Sequence, residues 1–359
     1  MTVKPDPASP PEAPIKPICL ALQGGGAHGA FEWGVLDALL EDPHLDIKGL
    51  SGASAGAMNA VVLASGLAKG GREGARQGLA AFWRNISGAG SPFGDLGFWS
   101  RSFAPVFGRD NPFVQAANAF ADNLASGSPF GISPYQFNPF NFNPLREALQ
   151  SAVDFAHLRK APSVQVFVAA TAVRSGRLKI FDTGVLTADH VLASACLPYL
   201  FQAVEIDGEA YWDGGFTANP PLWPLYYGDL PRDILVVNLN PFHRPTTPTD
   251  TGAIIDRLNE ITFNATLAAE FRAVAFVNRL VEEEMLNAKG RAQYRSVRLH
   301  LIAAEGYLDR LALASKFNTD WGFLTELRDL GRTAAQSWRA AHFDAVGVRS
   351  SVDVRSDFL

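Results

Sequence analysis

The amino-acid sequence predicts an α/β fold in which strands and helices form packed layers. Short apolar runs typical of buried strands alternate with segments of helical periodicity along much of the chain. Three glycine-rich turns, at residues 24–29, 52–56 and 213–215, follow predicted strands. The 359 residues are 47% hydrophobic and 19% charged, which is enough apolar material for a large core. Alternating strands and helices are typical of an α/β layer architecture.

The first two predicted strands each lead through a glycine turn into a helix. Residues 18–22 and 47–50 are short and apolar, and helical segments follow at 28–41 and 55–65. Asp207-Gly208 is a strong signal for a two-residue hairpin. Further strands are predicted at residues 164–173, 177–181, 204–206, 210–212, 234–239 and 297–302.

The composition divides the chain into regions. Residues 1–17 contain six prolines and are expected to be a disordered tail. A core domain is expected at 18–240, followed by a mainly helical extension of unknown function at 241–359. In that extension, apolar residues from Leu267 to Met285 recur at intervals of three or four, which predicts one face of a long helix. Within the core, residues 85–145 form an insertion that holds 10 of the 25 phenylalanines.

Charge and composition exclude several classes of protein. A net charge of −5 argues against a general nucleic-acid binder, which would carry a strong basic excess. The two cysteines, Cys19 and Cys196, lie in apolar runs and are expected to be buried core residues. The N-terminal tail lacks the apolar centre of a secretory signal, and no apolar run reaches the length of a membrane span. The expected location is the cytoplasm, with the surface of a membrane as the alternative.

The first glycine turn is predicted to hold an anion. It leaves a strand and opens a helix, so its backbone N–H groups and the positive end of the helix dipole point at the same place. The same pattern, G-x-G-x-x-G, matches the dinucleotide-binding fingerprint, so a nucleotide-binding oxidoreductase is one alternative. The turn comprises Gly24, Gly25, Gly26, Ala27, His28 and Gly29.

The second turn has the pattern of a nucleophile elbow. Gly52-Ala53-Ser54-Ala55-Gly56 is a G-x-S-x-G segment between a strand and a helix of small residues. Such a turn exposes the serine hydroxyl at the end of the strand. The alternative interpretation is an ordinary Gly/Ser cap at the start of a helix.

A serine nucleophile needs a base, and the third turn supplies a candidate. The seven histidines fit a Ser-His-Asp arrangement poorly, because most lie away from strand ends. Asp213 follows the predicted hairpin, and the neighbouring Gly214 and Gly215 allow other backbone to approach it closely. A simple Asp-Gly turn is the alternative interpretation of the same residues.

Together the three motifs resemble the patatin-like phospholipase family. The segments ALQGGGAHGAFEWGVLDALLE, SGASAGAMNA and ASACLPYLFQAVEIDGEAYWDGGFTANPPL carry the resemblance, in that order, over roughly residues 18–240. It implies a three-layer α/β/α hydrolase fold and a Ser-Asp dyad that needs no catalytic His, metal or cofactor. Ser54 is then the expected nucleophile and Asp213 the expected base. The expected oxyanion hole is formed by Gly24, Gly25, Gly26 and Ala55.

The resemblance also implies a substrate. A lipid or other acyl ester is the expected partner, and the Phe-rich insertion is expected either to contact a lipid surface or to pack on the core. A non-catalytic lipid-binding or scaffold protein with the same fold is the second alternative. The sequence departs from the family pattern at His28, where Arg or Lys is common, and at Gln23. A histidine there predicts activity that changes with pH near the ordinary histidine pKa of about 6.5.

Overall fold

The computed structural model describes residues 14–88, 133–304, 306–308, 311 and 313–358. Residues 1–13 of the predicted tail and residues 89–132 of the predicted Phe-rich insertion lie outside the described residues. The first strand begins at Lys16, so the predicted tail is two residues too long. Lys16 pairs there because its N–H donates to the carbonyl of His44 at 2.7 Å, and Pro17 is tolerated near the start of a strand.

One eight-stranded, mostly parallel sheet forms the centre of the molecule, which confirms the predicted α/β class. Its order is β5-β6-β3-β2-β1-β7-β8, with β4 also paired to β3. Strands β3, β2, β1, β7 and β8 are parallel, and β4, β5 and β6 are antiparallel to their neighbours. The strands are β1 (Lys16–Leu22), β2 (Leu45–Gly52), β3 (Gln165–Ala172), β4 (Leu178–Asp182), β5 (Val204–Ile206), β6 (Glu209–Asp213), β7 (Asp233–Asn238) and β8 (Arg298–Ala303).

Helices cover both faces of the sheet. Helix α2 is longer than the predicted 55–65 segment and bends at Gly70 and Gly71, whose backbone angles are not helical. The described α-helices are α1 (Gly29–Glu41), α2 (Ala55–Gly88), α3 (Pro134–Phe137), α4 (Leu145–Ala152), α5 (Phe155–Lys160), α6 (Ala188–Ser194), α7 (Trp223–Tyr226), α8 (Thr251–Glu282), α9 (Ala288–Gln293), α10 (Trp321–His342) and α11 (Val354–Phe358).

Two apolar layers separate the sheet from its helices. Because side chains alternate along a strand, Leu20 and Leu22 of β1 face a large core shared with α1, α2 and α10. Cys19 and Ala21 face the opposite way, into a second core that includes Phe271 of α8. This alternation produces the predicted three layers.

The region after residue 240 continues the same structure. Strand β8 pairs in parallel with β7 and so extends the central sheet. Helix α10 packs against α1, where a Cβ atom on Gly34 would collide with the backbone of Arg328. Helix α8 ends at Glu282, and Met285 lies beyond it with 56% of its surface exposed, so the apolar stripe was predicted one turn too long.

Strand β3 brings the second and third glycine turns to one place. At Phe167, β3 pairs with β2 on one edge and with β4 on the other. At Ala170, β4 is still one neighbour, but β6 has taken the edge that β2 left and pairs through Asp213. The last residue of β6 therefore lies just beyond the carboxyl end of β2.

Candidate active site

Ser54 occupies a strained turn between β2 and α2. Its φ angle is 55°, in the left-handed region that costs a residue other than glycine about 1 kcal/mol or more. The Ser54 N–H donates to the carbonyl and the hydroxyl of Ser194, at 3.1 and 3.0 Å, which holds the turn in place. Only 8% of the Ser54 surface is exposed. The strained turn is the one that the nucleophile-elbow pattern predicts, but Ser54 is buried and not exposed as that pattern suggested.

The flanking glycines of this turn allow a close approach of backbone. A Cβ atom on Gly52 would lie 2.5 Å from the carbonyl carbon of Gly56, and one on Gly56 would lie 2.6 Å from that of Leu22. Any larger residue at either position would push the strand and helix apart. The motif therefore needs glycine for steric reasons.

Asp213 is completely buried beside this turn. Its backbone N–H donates to the carbonyl of Cys196 at 2.9 Å, and its carbonyl accepts from the Thr171 hydroxyl at 2.7 Å. The Gly215 N–H donates to Oδ1 at 2.7 Å, which fixes the rotation of the carboxyl group. Gly214 and Gly215 pack against Ala169 and Phe263, at positions where a Cβ atom would clash.

The Asp213 carboxyl group is poised to accept a proton. Burial raises its pKa to about 7, although the Gly215 N–H, the Ser54 hydroxyl and the charge of Lys316 each lower it. The second carboxyl oxygen, Oδ2, is buried and has no hydrogen bond of normal geometry among the described residues. The Ser54 hydroxyl thus influences the carboxyl group without a tight hydrogen bond, as is common in unliganded active sites.

The first glycine turn lies directly against Ser54. A Cβ atom on Gly24 would be 2.8 Å from Cβ of Ser54, and Gly29 approaches Ala55 in the same way. Gly26 has a φ angle of 59°, which favours glycine. The three turns that the sequence singled out therefore meet at one point.

Three backbone N–H groups at this point are available to a ligand. Among the described residues, the N–H groups of Gly25, Gly26 and Ala55 have no hydrogen-bond acceptor. The Gly24 N–H instead donates to Oδ1 of Asn219 at 2.6 Å, so Gly24 shapes the turn and is left out of the donor set. The remaining set can hold a negatively charged oxygen beside Ser54.

A buried network of amide side chains supports the first turn. Oε1 of Gln23 accepts from the N–H groups of Leu239 and Asn240, at 2.7 and 2.8 Å. Nε2 of Gln23 donates to Oδ1 of Asn264 at 2.9 Å. No role could be predicted for these residues, because an isolated Asn or Gln carries no motif. Their function is to hold the glycine turn rigidly by satisfying its buried polar groups.

His28 is uncharged in this environment. Burial, followed by the nearby charge of Lys316, lowers the pKa of His28 to about 3. Its Nε2 lies 2.7 Å from the hydroxyl of Ser315. The expected titration of this histidine near pH 6.5 is therefore wrong, because the ring is withdrawn from water.

A short 3₁₀ helix from the C-terminal region, Leu313–Phe317, covers the first glycine turn. Besides the contact of Ser315 with His28, the backbone of Lys316 packs on Gly26. Lys316 is the residue of this site that sequence reasoning missed. The only signal was one cation within the apolar run LALASKF.

The remaining polar groups do not form a metal site. Across the described residues, no three His, Cys, Asp or Glu side chains are grouped closely enough to hold a metal ion.

Cys19 and Cys196 are both buried and unpaired, as predicted. Among the described helices, none has the length and apolar character needed to cross a bilayer.

Comparison with solved structures finds chains to which this one is similar at low identity. The chain is similar to VipD from Legionella pneumophila at 17% identity and a TM-score of 0.37, over 88% of this chain and 67% of that one. It is also similar to a chain of the heterodimeric ExoU–SpcU complex from the type III secretion system of Pseudomonas aeruginosa. That match has 20% identity and a TM-score of 0.31, over 96% of this chain and 65% of the other. The chain thus spans about two thirds of each of these proteins.

Comparison with curated proteins gives no match. The family model for patatin-like phospholipases matches residues 20–226, which include all three glycine turns. Since this match covers more than half of the 359 residues, the chain belongs to the patatin-like phospholipase family.

Proposed function

We propose that the protein is a serine acyl hydrolase that cleaves carboxylic esters of lipids, as a phospholipase A or lysophospholipase does. Membership of the patatin-like phospholipase family supports lipid hydrolysis. The observation that carries the proposal is the meeting of a strained Ser54 turn, a buried Asp213 carboxyl group and three unpaired N–H groups. No histidine is needed for this chemistry.

The first step is attack of Ser54 Oγ on the ester carbonyl carbon. Asp213 Oδ2 accepts the hydroxyl proton, since Oδ1 is already engaged by the Gly215 N–H. A base is most effective when its pKa lies near the working pH, and burial brings the pKa of Asp213 to about 7. The buried carboxyl group is therefore a far better base than an exposed aspartate.

The tetrahedral intermediate carries a negative oxygen that needs hydrogen-bond donors. The N–H groups of Gly25, Gly26 and Ala55 would supply them, since none has an acceptor among the described residues. One donor of this kind lowers the barrier of acyl transfer by about 2.7–4 kcal/mol in well-studied sites. The amide network behind the turn keeps these donors aligned.

Collapse of the intermediate releases the alcohol and leaves an acyl-serine. Protonated Asp213 gives its proton to the departing alkoxide oxygen as the ester C–O bond breaks. Asp213 then removes a proton from water, which attacks the acyl-serine carbonyl, and the same proton returns to Ser54 Oγ. The cycle consumes one ester and one water and yields one acid and one alcohol.

The test combines covalent labelling with two substitutions. A fluorophosphonate probe is expected to label the wild-type protein at Ser54, and the protein is expected to hydrolyse a short-chain nitrophenyl ester. Ser54→Ala and Asp213→Asn are each expected to lower kcat/KM by about a thousandfold or more.

Exposed residues of the same types serve as matched controls. Ser175→Ala in the turn after β3 and Asp329→Asn on α10 are expected to keep full activity, since both residues are exposed. Absence of probe labelling and of hydrolysis in the wild-type protein would favour a non-catalytic lipid-binding protein. Full activity of either Ser54→Ala or Asp213→Asn would refute the dyad.

We also propose that aromatic residues of the segment before α4 contact a lipid surface. Tyr135, Phe140 and Phe142 are 59%, 90% and 52% exposed. The Tyr135 hydroxyl accepts from the Ala203 N–H at 3.2 Å, which ties this segment to the loop after α6, and the Cys196 carbonyl of that loop accepts from the Asp213 N–H. Several exposed aromatic side chains on one segment of a patatin-like phospholipase favour a contact with lipid.

Vesicle flotation tests this contact. Phe140→Ser is expected to weaken binding to phosphatidylcholine vesicles severalfold while leaving hydrolysis of the short-chain ester unchanged. Tyr227→Ser is the control, because Tyr227 is 70% exposed in a different part of the fold. Equal binding by the wild-type protein and Phe140→Ser would exclude the contact.

A further inference from the structure

Lys316 places an ammonium group among neutral partners. Its Nζ donates to Oδ1 of Asn240 at 2.7 Å and to Oδ1 of Asn259 at 2.9 Å, and lies 5.4 Å from the centroid of the Phe263 ring. Desolvation lowers the pKa of Lys316 to about 8. A cation held by amides and an aromatic ring must be stabilised by anions at longer range.

Three carboxyl groups act on Lys316 at longer range. Glu260 and Asp256 face it from α8, and Asp213 faces it from β6, while His28 on the first turn is neutral. Glu260 already forms ion pairs with Arg244 and Arg257. Among the described residues, by contrast, the Asp213 carboxyl group has no cation within ion-pair distance. The charge of Lys316 therefore acts on Asp213 at long range.

Lys316 is also connected to the first glycine turn. Nδ2 of Asn240, whose Oδ1 accepts from Lys316, donates to the carbonyl of Gly24 at 3.3 Å. A Cβ atom on Gly26 would lie 3.3 Å from the carbonyl carbon of Lys316, so the lysine backbone packs directly on the turn. The ammonium thus lies behind the donors that would hold the oxyanion.

We propose that Lys316 is a positioning residue of the Ser54 site, whose charge stabilises the Asp213 carboxylate and the oxyanion from behind the glycine turn. This inference rests on the proposed hydrolase function. It assigns a role in that site to the region after β8, which lies outside the family match at residues 20–226. Lys316 has no hydrogen bond or ion pair with Ser54 or Asp213 among the described residues, and its charge would act on them at long range.

This role predicts a specific dependence on pH. Loss of the positive charge raises the pKa of Asp213, so the acid limb of kcat/KM moves to higher pH. Above the Lys316 pKa of about 8, the wild-type protein loses the same charge. The difference between the wild-type protein and a neutral variant therefore shrinks as the pH rises through 8.

The experiment compares Lys316→Met with Lys289→Met over about pH 5.5–9.5, with a nitrophenyl ester as substrate. Lys316→Met keeps most of the apolar stem, and its acid limb is expected to move up by about half to one pH unit. Its kcat/KM is expected to be about three- to tenfold below the wild-type value near pH 7 and closer to it above pH 9. Lys289→Met makes the same change of net charge at an exposed position and is expected to match the wild-type profile.

A loss of activity by one constant factor at every pH, or an unchanged profile, would overturn the role of Lys316. Lys316→Gln, which is polar but neutral, gives the same test if Lys316→Met does not fold. If the wild-type protein neither hydrolyses the ester nor takes up a fluorophosphonate, the hydrolase function fails and this inference with it. If Ser54-dependent hydrolysis is present and the profiles run parallel, only the role of Lys316 fails.

Discussion

Two serine-centred groups lie at opposite ends of the parallel strands and differ in their hydrogen bonding and backbone geometry. Ser54 follows the carboxyl end of β2, where Asp213 and the first glycine turn meet it. At the amino end of β7, His300 lies between Ser351 and Asp233, with Nδ1 3.0 Å from the serine hydroxyl and Nε2 3.0 Å from the carboxyl group. The second group has the connectivity of a Ser-His-Asp triad, and the first does not.

Backbone geometry separates the two groups more clearly than hydrogen-bond connectivity does. Of the described residues other than glycine, only Ser54, Asn141, Asp207 and Glu284 have a positive φ angle. Ser351 has an ordinary backbone, and its N–H is donated to the carbonyl of Leu299 at 3.0 Å. The Ser351 group therefore fastens the C-terminal segment to the sheet, whereas the Ser54 turn combines a strained backbone with N–H groups that have no acceptor among the described residues. These two features support the proposal that Ser54, and not Ser351, is the nucleophile.

The largest expected effect is the contrast between Ser54→Ala and Ser351→Ala in ester hydrolysis. Ser54→Ala is expected to reduce kcat/KM by about a thousandfold or more, because it removes the attacking oxygen. Ser351→Ala is expected to keep kcat/KM within about twofold of the wild-type value, since substitutions away from the reacting groups rarely change it more. A steady-state assay measures kcat/KM of both variants. A large loss of kcat/KM in Ser351→Ala would show that Ser351, too, takes part in hydrolysis.

The next effect concerns the stability that Asp233 adds in the group formed with His300 and Ser351. Burial alone would raise the pKa of Asp233, but hydrogen bonds from His300, Arg298 and Gly347 lower it to about 2. A lowered carboxyl pKa adds stability above the unfolded value near 3.8, and this is lost as pH falls through 2. Asp233→Asn is expected to lower the free energy of unfolding by about 3 kcal/mol at pH 7.

Urea denaturation at several pH values measures this change. The wild-type protein and Asp233→Asn are expected to converge below about pH 4, where the unfolded chain protonates its carboxyl groups. Equal stability of the two proteins at pH 7 would show that the hydrogen bonds and ion pair of Asp233 do not stabilise the fold.

Replacing Asp213 by Asn is expected to raise the free energy of unfolding, whereas replacing Asp233 lowers it. Burial raises its pKa to about 7, so the folded protein binds a proton more tightly than the unfolded chain does. The wild-type protein therefore loses stability as the pH rises from about 4 to 7. Asp213→Asn carries no charge and is expected to be more stable than the wild-type protein at pH 8, by roughly 4 kcal/mol at most.

Thermal unfolding at pH 4 and pH 8 tests whether the added stability of Asp213→Asn comes from the lost carboxylate charge. If it does, the added stability disappears at pH 4, where the carboxyl group of the folded wild-type protein is protonated. Asp329→Asn, at an exposed site, serves as the control. A destabilised Asp213→Asn at pH 8 would mean that the carboxylate is well solvated or paired.

The smallest expected effect tests the strain itself. Ser54→Gly is expected to raise the free energy of unfolding by about 1 kcal/mol, since glycine adopts a positive φ angle without a steric penalty. Ser351→Gly is expected to lower it, because glycine there adds only flexibility to the unfolded chain. Calorimetry of the two variants compares the turns directly, and a gain in stability in both would remove the distinction.

Much of the site could be predicted from local sequence. The two strand–turn–helix units and the Asp207-Gly208 hairpin are confirmed, because each depends on neighbours in the chain and on glycine at positions of positive φ or close contact. The third glycine turn made Asp213 a candidate base for Ser54, and the family resemblance then implied the pair. The proximity of the two residues depends on β6 replacing β2 beside β3, and no local pattern encodes that exchange of strands.

The supporting residues could not be predicted for a related reason. Gln23, Asn219 and Asn264 act through partners that are distant in sequence, such as the 3.2 Å hydrogen bond from Gln23 to the Asn219 carbonyl. Lys316 reaches the site from a short 3₁₀ helix after β8. The neutral state of His28 likewise follows from its burial by that helix and not from its motif.

Because β2 and β6 both pair with β3, that strand sets the distance between Ser54 and Asp213. One edge of β3 pairs first with β2 and then with β6, so the register of these two pairings determines the spacing between Ser54 and Asp213. That spacing does not depend on the number of residues between β2 and β6 in the chain. A slip of the β6–β3 pairing by one residue would turn Asp213 to the other face of the sheet. Insertions between β2 and β6 can therefore change what the protein contacts while Ser54 and Asp213 keep their separation.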